Sequence, residues 1–159
     1  MQKEPMTDEG YNKLTKELSD MKLIHRPKII VSVEEARQLG DLKENAEYHA
    51  AKEEQANINK RIAEFEDMVT KAVVIDPSTL AHTKISFGST VTIVNIKTDE
   101  EITYTIGSFL DSNPDAGIIS FNSPLSQQLL GKEEGDEFTA KLPGGNIAYE
   151  VDSVSYKAF

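Results

Sequence analysis

The sequence predicts an α+β protein in two parts, an antiparallel helical hairpin followed by a mainly antiparallel sheet that carries one short helix. Apolar residues recur at alternating spacings of three and four as far as Ala72, the period of packed helices. From Lys84 onward the period falls to two, the signature of half-buried strands. Charge composition changes between the same two stretches: residues 1–76 hold 12 basic and 16 acidic side chains, residues 77–159 hold 5 and 11, and every Arg lies in the first part. These observations set a boundary at Asp76–Pro77 and two domains, 1–76 and 77–159.

The bulk composition narrows the function classes. At 159 residues with 38% hydrophobic residues and no Trp, the chain has little core per residue, which favours an elongated part over one compact ball. The absence of Cys excludes disulfides and thiolate metal sites and fits a reducing compartment. The polar, acidic Met1–Gly10 stretch has no signal-peptide character, and no apolar run approaches the roughly 18 residues of a membrane span, so a cytoplasmic protein is expected. A net charge of −10 argues against independent affinity for nucleic acid, which relies on Lys and Arg.

In chain order, Thr7 with Asp8 and Glu9 marks a helix start: a hydroxyl cap followed by acids against the positive end of the dipole. Tyr11, Leu14, Leu18 and Met21 form the first seam. The phase slips around His25-Arg26-Pro27, where a kink is expected, and resumes with Ile30, Val33 and Ala36. The second helix carries the strongest periodic signal: Tyr48, Ala51, Gln55, Ile58, Ile62, Phe65, Val69 and Ala72. Two such helices with about two residues between them must run antiparallel, making an arm on the order of 45 Å long. Ala46, Ala50 and Ala51 thin its end. In the second part, Thr90–Ile96, Glu101–Ile106, Gly117–Phe121, Glu137–Leu142 and Ile147–Tyr156 are expected strands, and Ser123-Pro124 opens a short helix that ends at Gly131.

The stretch Gly40-Asp41-Leu42-Lys43-Glu44-Asn45 joins the two helices. One reading is structural: Gly40 ends a helix, Asp41 caps the next, and Glu44 completes a capping box. The other reading pairs Asp41 and Glu44 as hard oxygen ligands for Mg²⁺. Two exposed carboxylates cannot enclose that ion, so a partner would supply the remaining ligands. Arg37 and Lys52 flank them and suit phosphates, or else balance nearby acids. His49, His25 and His82 each lack a second His, Ser or Cys to complete a catalytic constellation.

The run Glu35-Ala36-Arg37-Gln38-Leu39-Gly40-Asp41-Leu42-Lys43-Glu44-Asn45-Ala46-Glu47-Tyr48-His49-Ala50-Ala51-Lys52 closely resembles the tip of the bacterial Gre transcript-cleavage factors. The likeness extends to Pro5-Met6-Thr7, Ile119–Pro124, Gly131–Asp136 and Pro143-Gly144-Gly145, and the few basic residues resemble the less basic of the family's two branches. The resemblance implies a coiled-coil hairpin and an FKBP-like second domain. It implies a monomeric accessory factor that enters the secondary channel of bacterial RNA polymerase and stimulates the polymerase's own cleavage of backtracked RNA. In that role Asp41 and Glu44 would help hold a catalytic Mg²⁺ shared with the polymerase, with no tightly bound cofactor. Arg37 and Lys52 would meet the nascent RNA 3′ end, although many family members carry Arg where this chain has Lys52. Asn122, Ser123 and Pro124 would dock on a coiled coil of the largest polymerase subunit, and DNA would be met only within the elongation complex. Rival readings are a channel-binding polymerase inhibitor, an FKBP-type prolyl isomerase and a coiled-coil adaptor without chemistry.

Overall fold

The computed structural model describes residues 2–41 and 45–158. The chain divides into two compact units, residues 11–72 and residues 1–10 together with 73–159. The change therefore falls at Ala72 rather than at Asp76, and the first ten residues belong with the sheet. Backbone hydrogen bonding is the reason. Strand β1 (Glu4–Met6) pairs with β2 (Ala72–Val74), and the Ile75 N–H donates to the Met6 carbonyl at 2.8 Å. Met6 is fully buried.

Helix α1 (Asp8–Asp20) begins where the sequence indicates. The Thr7 hydroxyl accepts from the Gly10 N–H at 3.1 Å, which supplies a partner for one of the otherwise unpaired donors at its start. The chain then passes through one π-helical stretch, Met21–His25, into α2 (Arg26–Arg37). The expected disturbance near Pro27 is thus an inserted residue: the Arg26 N–H reaches back five positions to the Met21 carbonyl. That insertion resets the seam. Leu14 and Met21 are buried, and the next buried positions are Ile29, Val33 and Ala36, eight residues on from Met21 instead of seven. Ile30, expected in the seam, is 51% exposed.

Helix α3 (Ala46–Lys71) keeps its register throughout. Ala51 and Ile62 are buried, while Tyr48, Gln55, Ile58, Phe65, Val69 and Ala72 are half-buried, so every residue of the expected seam faces inward. Ion pairs cross the hairpin at its edges, Arg61 to Glu17 at 3.2 Å and Lys22 to Glu66 at 2.5 Å. Both are half-exposed and contribute little beyond alignment.

The second unit holds a curled sheet in the order β5-β4-β3-β7-β6. Its strands are β3 (Ser89–Asn95), β4 (Glu101–Gly107), β5 (Ile118–Ser120), β6 (Glu137–Leu142) and β7 (Gly145–Tyr156). All neighbours are antiparallel except β4 and β5, whose connection includes a 3₁₀ turn at Pro114–Ala116. Val91, Ile93, Ile106, Ala140, Tyr149 and Val151 make the core with Ile85 and with Leu129 of helix α4 (Pro124–Leu129). Thr90 with Thr105 and Thr92 with Thr103 pair their hydroxyls across β3 and β4. The β6–β7 turn is tighter than the expected Pro143–Asn146 connection. Leu142 pairs with Gly145, leaving only Pro143-Gly144 between the strands.

Candidate functional site

The end of the hairpin is built by one asparagine. Helix α2 closes with the Gln38 N–H on the Glu34 carbonyl at 3.3 Å and the Leu39 N–H on the Ala36 carbonyl at 3.1 Å. Asn45 then ties the two helices together. Its Nδ2 donates to the Ala36 carbonyl at 2.6 Å, and its Oδ1 accepts from the Tyr48 N–H at 3.0 Å. One amide group thereby serves the last turn of one helix and the first turn of the next.

This corrects the expected capping. Asn45 is the N-cap of α3, with Tyr48 three positions after it, and Glu44, the expected box partner of Asp41, lies outside the described residues. Helix α2 ends at Arg37 and α3 starts at Ala46, with residues 42–44 of the stretch between them outside the described residues. Gly40 lies at φ +123° with open space where a side chain would stand, which agrees with its expected role in ending the first helix. The signal for Asn45 was present in the sequence, since Asn is among the strongest N-cap residues and the unbroken seam begins three positions later. The Asp41–Glu44 spacing masked it.

The expected site residues fall as follows. Asp41 is exposed beyond the turn that ends α2, and Glu44 lies outside the described residues. Arg37 is the last residue of α2 and is exposed. Lys52 is exposed on α3, its Nζ donating to Gln55 Oε1 at 3.2 Å. Beside them the buried Ala36 and Ala51 line a groove of about 420 Å³ together with Ser32, Glu35, Leu39 and Glu47. Ala46 and Ala50, expected with Ala51 to thin this end, are exposed instead. The rings of Tyr48 and His49 meet edge to face at 5.7 Å.

Among the described residues no three His, Asp or Glu side chains come together to hold a metal ion. The donor set on offer at the tip is therefore hard and incomplete. A carboxylate such as Asp41 suits Mg²⁺ by its oxygen chemistry, but the near-octahedral shell of that ion requires more ligands than the described residues bring together.

In the other unit, Asn122 is half-buried and its Nδ2 donates to the Lys3 carbonyl at 3.0 Å, which fastens the segment before β1. Ser123 caps α4 by accepting from the Ser126 N–H at 3.3 Å, and Pro124 opens that helix on the exposed side. The segment is thus ordered by its own hydrogen bonds and presents mainly Pro124 outward.

A hairpin of this kind, ending in an acidic turn and joined to a sheet unit, defines a class shared with known proteins. The family described as "Transcription elongation factor, N-terminal" matches residues 4–74, and that described as "Transcription elongation factor, GreA/GreB, C-term" matches residues 80–156. The chain belongs to the GreA/GreB transcription elongation factor family. It is 55% identical over 157 residues to the transcription elongation factor GreA of Aliarcobacter butzleri, covering 99% of this chain and 98% of that protein. It is 54% identical over 156 residues to GreA of Nitratiruptor sp., covering 98% and 95%. Among solved structures, GreA factor homolog 1 of Thermus thermophilus is 25% identical, with a TM-score of 0.46 over 97% of this chain and 99% of that one.

Proposed function

We propose that this chain acts as a transcription elongation factor that enters the secondary channel of bacterial RNA polymerase and stimulates the polymerase's own cleavage of backtracked RNA. The observation that carries the reading is the near full-length identity to proteins named transcription elongation factor GreA. The exposed Asp41 at the hairpin end supports it. The chain is an accessory factor and not itself the enzyme: a partial ligand set becomes useful only when the polymerase completes it.

In this mechanism Asp41 and Glu44 offer carboxylate oxygens to a Mg²⁺ shared with the polymerase, and no cofactor is held tightly by the free chain. Held there, such an ion would supply Lewis-acid polarisation of a phosphodiester and a more acidic bound water. Asn45 fixes the spacing of the two helix ends and so aims the turn. Arg37 and Lys52 flank it with positive charge for the phosphates near the RNA 3′ end. Lys52 gives a point charge there rather than a bidentate fork. Asn122, Ser123 and Pro124 dock on the coiled coil of the largest polymerase subunit, with Pro124 outermost. DNA is met only as part of the elongation complex, and the factor works as a cytoplasmic monomer.

The test is transcript cleavage in a stalled, backtracked polymerase complex, comparing wild type with Asp41→Asn, with thermal melting of both. Because Asn45 caps α3 and Asn at position 41 keeps a side-chain acceptor oxygen in place of the carboxylate, melting should be unchanged. Cleavage stimulation should fall by about a hundredfold or more, the scale expected when a charge-stabilising group is lost. Equal stimulation by both proteins would remove Asp41 from the chemistry. Binding without stimulation by wild type would make the chain a channel-binding inhibitor instead.

A further inference from the structure

The larger sheet ends on β6, and the outer edge of that strand is closed at one residue only. The even-numbered residues of β6 bond to β7. Leu142 pairs with Gly145 at the turn, and one step before the strand the Asp136 carbonyl accepts from the Val151 N–H at 2.8 Å. The backbone groups of Glu137, Thr139 and Lys141 therefore point away from the sheet, because successive residues of a strand alternate. At Lys141 they are taken. Its N–H donates to Gln128 Oε1 at 2.8 Å and its carbonyl accepts from Gln128 Nε2 at 3.4 Å, so one amide of α4 occupies the place of a neighbouring strand. Among the described residues no group outside the sheet bonds to the backbone of Glu137 or Thr139.

The side chains of this edge are complementary to themselves run backwards. Glu137, Thr139 and Lys141 are exposed on one face of the strand, while Phe138 and Leu142 are half-buried on the other around the buried Ala140. Two copies of β6 paired antiparallel about Thr139 would set Glu137 of each opposite Lys141 of the other, and Phe138 opposite Ala140. Within its own sheet Glu137 stands opposite Glu150, a like-charge pair that costs stability. A lysine arriving on its open side offsets that repulsion. A register centred on Glu137 or on Lys141 would instead set like charge on like.

We propose that the β6 edge is a pairing surface for a second copy of this chain, and that the Gln128 amide restricts it. With Lys141 uncovered, the pairing closes about six main-chain hydrogen bonds, about two for each facing pair. With Gln128 in place only the central pair at Thr139 remains, too little to hold two strands together in water. Blunting one end of an exposed edge is how sheet proteins keep such strands from adding to one another. The net charge of −10 on each copy opposes the approach at long range, and salt screens it.

The experiment is sedimentation equilibrium of the full chain at physiological salt, with thermal melting of each variant. Gln128→Ala frees Lys141 and should tighten self-association about tenfold over wild type, since two competing hydrogen bonds are removed. Adding Glu137→Lys places like charges at both ends of the pairing and should return association to the wild-type level or below. Adding Lys141→Glu as well restores opposite charges and should restore the tighter form. The changed charges face solvent, so melting should stay near wild type. Association of Gln128→Ala no stronger than wild type would overturn the proposal. Tighter association that ignores the charge changes would place the contact elsewhere and overturn it too. A labelled peptide of residues 136–142 supplies a second reading that needs only the Gln128→Ala chain. In fluorescence anisotropy it should bind that chain about tenfold more tightly than a peptide with its Glu and Lys exchanged for the opposite charge at one end only. Equal binding of the two would assign the edge to extended peptides at large and not to a second copy.

Discussion

Asn45 shows how much one side chain decides at the end of a hairpin. Its amide accepts from the Tyr48 N–H and donates to the Ala36 carbonyl, so truncation removes the cap of the Tyr48 N–H and leaves the Ala36 carbonyl to the backbone N–H groups that end α2. Asn45→Ala should cost about 1–2 kcal/mol, read as a lower melting temperature of the helical unit. Asp41→Asn, which alters charge without touching either bond, should leave melting where it is. A second residue-scale test concerns Asp76, which starts the 3₁₀ turn Pro77–Thr79. The Ser78 hydroxyl, and after it the Ser78 N–H, hold its carboxyl below the ordinary value of 3.8. Because the folded-state pKa is depressed, Asp76 adds stability above its ordinary value and loses it as pH falls through the lower folded value. Ser78→Ala should raise the Asp76 pKa towards 3.8 in an NMR titration, since the larger of the two causes is then removed.

At the scale of the element, the π-helical stretch Met21–His25 governs which face of α2 is inside. A heptad continued from Leu14 and Met21 would place Lys28 in the seam, and one added residue places Ile29 there instead. The register can be measured directly. Ile29→Ala should destabilise the helical unit by about 2–3 kcal/mol, as expected for a buried aliphatic side chain. Ile30→Ala, at an exposed position, should stay within about 0.5 kcal/mol in the same denaturation series. Equal effects at the two positions would contradict the inserted residue. The sequence showed that the phase broke near His25-Arg26-Pro27 and which residue type would break it. It did not show how: a kink and an inserted residue leave the same trace, and only the backbone bond from Arg26 to Met21 separates them.

For the whole molecule, charge and the incomplete tip set what the free chain does. With a net charge of −10, the isolated protein should show no binding to free duplex DNA by fluorescence anisotropy at physiological salt. Titrated with Mg²⁺ in a calorimeter, it should show at most very weak binding, since no cluster of three ligands exists among the described residues. The sequence by itself determined the two-part α+β plan, the α3 seam, the positions of the five strands of the larger sheet and the family, because periodicity and turn chemistry are local properties repeated over many residues. The Asp41 position was legible too, as an exposed acid in a turn. Only the tertiary structure decided that Asn45 and not Asp41 caps α3, that Ile29 and not Ile30 faces inward, and that residues 1–10 belong with the sheet. Each of these depends on a partner distant along the chain or on a single inserted residue: the Ala36 carbonyl for Asn45, the π-helical bond for Ile29, and β2 with Asn122 for the N-terminal strand. Long-range hydrogen bonds leave no periodic trace in a sequence, so they were fixed by the folded chain alone.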